Sequence, residues 1–196
     1  MWDLYKTQPS FVLGFHGCDA DLARRVASGE EMLEPSTKPY DWLGSGIYFW
    51  EGSPHRAMEW AEAMAKRPSS NPRRVKTPGV LGAVIDLGHC CNLMDSSALD
   101  DLRDAWDVLQ LADGELPENK GNTADRLGRY RDRAVIELMH SIRTERGLPA
   151  YDSVRAAFPE GGELYPQAGF TARSHIQIAV RSHACIKGYF LPIKQK

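Results

Sequence analysis

The order of the periodic segments predicts an α+β protein: strand, helix, strand, helix, strand, then two helices, then three strands. Two observations carry that expectation. Short β-favouring runs stand at both ends of the chain and must pair across a shared core, and the two longest helical patterns sit together between them. No internal repeat or low-complexity tract divides the 196 residues, so the whole chain, 1–196, is expected to be a single domain.

Each element has a local reason. Phe11-Val12-Leu13-Gly14-Phe15-His16 is short, apolar and β-favouring, and reads as a strand. Asp19 or Asp21 then caps a helix through Leu22, Ala23, Val26 and Ala27 that stops at Gly29. Ile47-Tyr48-Phe49-Trp50, entered through Gly44-Ser45-Gly46, reads as the second strand. Ser53 as N-cap and Pro54 at the first helical position open a helix whose apolar stripe is Met58, Ala61, Met64 and Ala65. Residues 66–78 hold Lys66, Arg67, Arg73, Arg74 and Lys76 with three prolines and no acid, and read as an exposed basic loop. The apolar run 80–87 is expected to be a strand buried on both faces. Helices are expected at 96–112 and 123–146, the second with Leu127, Tyr130, Ala134, Leu138 and Ile142 near helical spacing; Gly114-Glu115-Leu116-Pro117 connects them. Strands are expected at 151–154, 176–180 and 186–191. The glycine- and proline-rich stretch 156–173 reads as a loop of a length that usually serves function.

Composition excludes several classes. With 42% hydrophobic and 26% charged residues, the chain is neither disordered nor collagen-like nor a disulfide-dense miniprotein. Its 24 basic and 26 acidic residues give a net charge of −2, so nucleic acid would have to be met by local patches, at 66–76 or 126–133. No apolar run approaches the roughly 20 residues that span a bilayer, so no membrane partner is expected. Met1-Trp2-Asp3-Leu4-Tyr5-Lys6 lacks a basic and then apolar leader and reads as a cytoplasmic start. Cys18, Cys90, Cys91 and Cys185 show no C-x-x-C spacing. Cys90 and Cys91 would point to opposite faces of a strand and make a poor metal clamp with His89, so free thiols and no metal are expected. Cys18, beside His16-Gly17, is the thiol open to alkylation if exposed. His55, His89, His140 and His183 are scattered and read as structural or surface residues.

Three constellations carry chemistry. In Phe15-His16-Gly17-Cys18 a strand ends on His then Gly: either a satisfied strand-end histidine, or a place where a glycine lets a ligand approach the backbone and His16 bonds a hydroxyl. Trp42-Leu43-Gly44-Ser45-Gly46-Ile47-Tyr48-Phe49-Trp50, followed by Ala57-Met58-Glu59-Trp60-Ala61, is either a strand and a helix meeting in the core or a tight turn presenting aromatics to a planar heterocycle. In Phe170-Thr171-Ala172-Arg173-Ser174-His175-Ile176-Gln177-Ile178-Ala179-Val180, alternation places His175, Gln177 and Ala179 on one strand face, solvent-facing or functional.

In this order the three resemble the diphtheria-toxin-like branch of the ADP-ribosyltransferases, which includes the poly(ADP-ribose) polymerases. Gly44-Ser45-Gly46-Ile47-Tyr48-Phe49 is similar to that family's Gly-x-Gly-Ile-Tyr-Phe signature, and Phe15-His16-Gly17 to its upstream His-Gly strand. Ala57-Met58-Glu59-Trp60-Ala61 resembles the Ala-x-x-Trp-Ala helix of small bacterial members. The resemblance implies a split pair of antiparallel β-sheets flanked by helices, with a helical insertion at about 95–147 that has no assigned counterpart. It implies NAD as substrate and no metal: His16 on an adenosine-ribose hydroxyl, Gly17 backbone groups on the nicotinamide carboxamide, Gly46 among the NAD-binding residues, Tyr48 stacked on nicotinamide, and Trp60 or a neighbour closing the other side. It also implies mono-ADP-ribosyl transfer to a protein or nucleic acid, with a toxin or defence role and an antitoxin or immunity partner among the expectations. The alternatives are an NAD glycohydrolase and a weakly catalytic NAD- or ADP-ribose-binding module.

Gln177 stands where the family carries its catalytic Glu. Gln keeps an acceptor oxygen but loses the charge that offsets the developing oxocarbenium. His16, Tyr48 and Gln177 are therefore the expected catalytic set, His175 the acceptor-contact and base candidate, and Glu160 or Glu163 a substitute carboxylate from the preceding loop.

Overall fold

The computed structural model describes residues 11–71, 74–112, 114–121 and 127–193. The expectations that fall on residues 1–6, Arg73 and 123–126 lie outside these. Strands β1 (Val12–Asp19), β2 (Ile47–Glu51), β3 (Pro78–Ile85), β4 (Cys90–Asn92), β5 (Ser153–Phe158), β6 (His175–Val180) and β7 (Ile186–Phe190) combine with helices α1 (Ala20–Ala27), α2 (Pro54–Lys66), α3 (Ser96–Gln110) and α4 (Tyr130–Glu145). The chain is α+β. The strands make one sheet in the order β4-β5-β6-β2-β1-β3-β7, antiparallel throughout except for β4 beside β5.

Several boundaries move for identifiable reasons. β1 runs past His16 because Gly17 and Cys18 continue the ladder opposite Val80 and Gly79 of β3. Asp19, not Asp21, caps α1: its carboxylate accepts from the Asp21 amide at 3.0 Å, and also from the Lys76 and Thr77 amides at 2.8 and 3.0 Å. The expected helix 123–146 begins at Tyr130. There the Asn119 side-chain Oδ1 accepts the Arg131 amide at 2.9 Å, and the preceding Gly128 is committed to a bridge with Lys120. β5 reaches Phe158, which pairs with His175, so the long connection starts at 159.

One face of the sheet packs α1 over Phe49, Leu81, Ile85 and Ile178, with Cys18 and Val26. The other carries two helix groups. α2 sits over Phe15 and Trp50, while α3 and α4 cover Val154, Ala156 and Ala179 through Ile136 and Met139. The line between these groups runs over Trp50 and its cross-strand partner Gln177. No helix among the described residues is long and apolar enough to cross a membrane.

Candidate functional site around Gln177

β2 and β6 lie side by side with Tyr48 opposite Ala179 and Trp50 opposite Gln177. Directly opposed residues share a face, so Tyr48, Trp50, His175 and Gln177 all project to the side covered by α2 and α4. The two segments singled out in the sequence are thus brought together on one surface.

An aromatic shell surrounds the Gln177 amide. The Trp42 indole N–H donates to Gln177 Oε1 at 2.6 Å. Trp42 also packs on Phe158 with ring centroids 4.5 Å apart, and Phe158 in turn lies 5.4 Å from His175. Trp50 stands 6.2 Å from His175 and 6.1 Å from Trp60. An indole nitrogen only donates, so this bond fixes which end of the amide is which. Oε1 faces Trp42, and the NH2 group faces away from it.

Gly44 to Gly46 form a clamped turn. The Tyr48 hydroxyl donates to the Gly44 carbonyl at 2.8 Å and accepts the Leu43 amide at 3.0 Å; burial, above all, raises its pKa and keeps the phenol protonated. From α4, Glu137 Oε1 accepts the Ser45 amide at 2.6 Å and the Ser45 hydroxyl at 2.7 Å, flanked by Arg133 at 3.6 Å and Arg181 at 3.7 Å. Burial pushes the Glu137 carboxyl up, but the two Ser45 bonds and the two guanidinium groups outweigh it and hold the pKa below the usual range. Gly44 has φ +77°, and a Cβ there would meet Ile136 at 2.8 Å, so glycine is required twice over. The expected insertion therefore holds the signature turn.

The remaining expected residues fall as follows. His16 sits on the opposite face, against Phe49, with ring centroids 5.9 Å apart. Its Nδ1 is 2.8 Å from the Tyr48 carbonyl, which only accepts, so Nδ1 carries the proton and Nε2 the lone pair. Burial lowers the His16 pKa against the raising effect of that bond, so the ring is neutral at pH 7. The close approach at Gly17 is made by the chain's own helix: a Cβ there would lie 2.1 Å from the Ala57 carbonyl oxygen and 3.2 Å from the Trp60 ring. Gly46 serves the sheet, with the Val180 carbonyl 2.9 Å from where its Cβ would be. Trp60, on α2, is 37% exposed.

His175 is buried rather than solvent-facing. Of the two loop carboxylates, Glu163 is bonded to the Gln167 amide at 2.9 Å on the exposed surface. Glu160 is tied to Arg56 at 2.9 Å and Arg173 at 3.3 Å, close enough to act on the charge of His175. Cys18 is also buried, and desolvation pushes its thiol up to about 12, so the exposure on which its alkylation depends is not met.

Sequence reasoning gave no role to Trp42, Arg56, Glu137 or Arg181, and placed Arg133 only in the basic patch at 126–133. Trp42 had a visible signal, since it opens the same aromatic and glycine run as Tyr48. Glu137 had none, because its partner is Ser45 on a distant segment. Two surface hollows lie elsewhere. One runs along α1 among Asp21, Arg24, Arg25, Ser28 and Glu30, whose charges pair locally; the other lies between α3 and α4 near Ala105 and Met139. No group of His, Cys, Asp and Glu among the described residues is placed to hold a metal ion. No protein-family model, no curated protein and no solved structure matches this chain.

Proposed function

We propose that the chain is an NAD-dependent mono-ADP-ribosyltransferase of the diphtheria-toxin-like kind, with NAD held along the β1–β2–β6 strands. The observation that carries this reading is the register: Trp50 lies directly opposite Gln177, and Tyr48 lies on the same face two pairs further along, opposite Ala179. The narrow joint between β1 and β2 supports it. These strands share the pairs Gly14–Glu51 and Phe15–Trp50, whereas β1 and β3 pair along the whole of β1, so the joint in the middle of the sheet is short. A dinucleotide on the face shared by Tyr48 and Gln177 reaches His16, on the opposite face, only by passing the sheet at that short joint.

Each residue then has a chemical task. Neutral His16 offers Nε2 to a sugar hydroxyl while its Nδ1–H is spent on Tyr48. The Tyr48 ring, fixed by both hydrogen bonds of its hydroxyl, is a rigid platform for the pyridinium ring. Gln177 hydrogen-bonds the nicotinamide ribose. Rupture of the nicotinamide–ribose bond is driven by that positioning, because the neutral amide supplies little offset to the developing charge. Trp42 must leave Gln177, or turn with it, for the ribose to reach both ends of the amide.

That last feature favours a second reading, a module that binds NAD or ADP-ribose with little turnover, since Trp42 already occupies the acceptor oxygen. Incubation with NAD labelled on adenine, followed by separation of protein, RNA, DNA and small molecules, divides the cases. Label in one macromolecular fraction is expected for the transferase. Free ADP-ribose alone indicates a glycohydrolase, and unconsumed NAD that co-purifies with the protein indicates the module. A toxin role in the cytoplasm with an antitoxin partner belongs to the transferase reading.

A further inference from the structure

The aromatic shell of Gln177 continues onto a surface where rings and cations alternate. Lys120 lies over the Tyr130 ring at 5.8 Å from its centroid, Tyr130 meets Tyr40 edge to face at 6.2 Å, and Lys38 lies over the Tyr40 ring at 5.9 Å. Both tyrosines join directly onto the shell. Tyr40 stands two residues before Trp42, whose indole bonds Gln177. Tyr130 follows Arg129, whose guanidinium lies 5.0 Å from the centroid of the Phe158 ring on which Trp42 packs. Two residues span at most about 7 Å, so this surface begins at the rim of the site.

Its cations are free where a ligand would meet them. Lys38, Tyr40 and Lys120 are exposed, and neither lysine is ion-paired among the described residues. The carboxylates on these two segments are committed: Asp41 accepts the Lys38 amide at 2.8 Å, and Asp132 holds Arg129 at 3.1 Å and the Asn119 side-chain amide at 2.9 Å. The arginines of the basic stretch 126–133 are spent inside the fold, Arg131 on the Pro117 carbonyl at 2.8 Å and Arg133 beside Glu137 at 3.6 Å. The other basic stretch, 66–76, contains no aromatic residue. Rings beside free cations are thus met at the rim of the site and not at 66–76.

Those two features select the occupant. An acidic peptide would use the lysines and leave the rings idle, and a duplex hides its base faces in its own stack. A single strand offers unstacked base faces and phosphates together. A base gains more from stacking on a ring than an exposed ammonium gains over the same ring, so bases displace the lysines, which turn to phosphate oxygens. We propose that Tyr40 and Tyr130, with Lys38 and Lys120, bind single-stranded nucleic acid, and that this strand is the acceptor of the transfer. The acceptor role rests on the NAD reading above. In that step a hydroxyl or amino group of the strand bonds to the ribose carbon as nicotinamide leaves with the electron pair of its own bond, and the proton of that group passes to solvent.

The test follows the fluorescence anisotropy of a labelled single strand of about 12 nucleotides with the full chain, across a range of salt. Wild type is expected to bind it, with the duplex of the same sequence and polyglutamate of equal charge competing about tenfold more weakly than the unlabelled strand. Tyr40→Ala should weaken binding about tenfold and Tyr40→Phe should keep it, because stacking needs the ring and not the hydroxyl. Lys38→Gln and Lys120→Gln should each flatten the slope of log affinity against log salt by about 0.7. NAD binding, measured by calorimetry, should be the same in Tyr40→Ala as in wild type. The inference is overturned by a wild type that does not bind the strand, by equal competition from duplex or polyglutamate, or by a Tyr40→Ala variant that binds like wild type. A Tyr40→Ala variant that loses NAD affinity assigns the rings to the donor and overturns it too. A strand that binds while NAD is neither bound nor consumed keeps the binding surface and removes the NAD reading together with the acceptor role. NAD consumption without strand binding does the reverse.

Discussion

Gln177→Glu is expected to accelerate nicotinamide release from NAD by about 30- to 150-fold. A charge-assisted hydrogen bond is roughly twice as strong as a neutral one, and a carboxylate beside the ribose also opposes the positive charge of the breaking bond. A gain of about 2–3 kcal/mol in the transition state gives that factor at roughly 1.4 kcal/mol per tenfold. The site accepts the change. Trp42 Nε1–H keeps an oxygen to donate to, and the second carboxylate oxygen replaces an NH2 group of nearly the same size. The gain should appear in kcat rather than KM, because the added interaction strengthens as the bond breaks. A kcat equal to or below that of wild type would remove Gln177 from the reaction.

Glu137→Ala is expected to destabilise the fold by about 2–3 kcal/mol, the worth of hydrogen bonds to a charged group, and to lower the melting temperature by roughly 5–10 °C. The side chain holds the Ser45 amide and hydroxyl, and its loss also leaves Arg133 and Arg181 without their shared counter-charge. Activity should fall further than stability accounts for, because the same turn anchors the Tyr48 hydroxyl. The pH dependence has a definite sign. The folded state holds the Glu137 carboxyl below its ordinary range, so its stabilising contribution is complete above the unfolded carboxyl pKa and is lost as pH falls through the folded one. Glu137→Gln keeps an acceptor oxygen without the charge. The stability gap between wild type and Glu137→Gln should therefore be constant at neutral pH and close below about pH 4. A gap that stays open in acid would show that the charge of Glu137 contributes nothing to the clamp.

What was legible in the sequence was what local rules govern. An aspartate N-cap for α1 at 19 or 21, Pro54 at the start of α2, and the alternation that puts His175 and Gln177 on one face all follow from a few neighbouring residues. The parallel pairing of β4 with β5 was not legible, because three residues at Cys90–Asn92 carry no period and their partners are far along the chain. Phe158 was hidden at the head of a glycine-rich stretch, although it completes β5 and supports Trp42. Within the candidate site, Tyr48 and Gln177 were marked by motif. The groups that set their chemistry, Trp42 on the amide and Glu137 on the turn, act across 135 and 92 residues, and only the folded chain brings them into contact. Gly17 was read as a place of close backbone approach, and in the fold the group nearest its missing Cβ is the Ala57 carbonyl.

The central claim is that the face shared by Tyr48 and Gln177 receives the nicotinamide end of NAD. Crystals grown with NAD, or with a form of it that resists cleavage, test this directly. The account predicts the pyridine ring flat on the Tyr48 ring, its ribose against Gln177, and the Trp42 indole displaced from Oε1. NAD bound elsewhere on the molecule, with the Trp42–Gln177 bond unchanged, would contradict it.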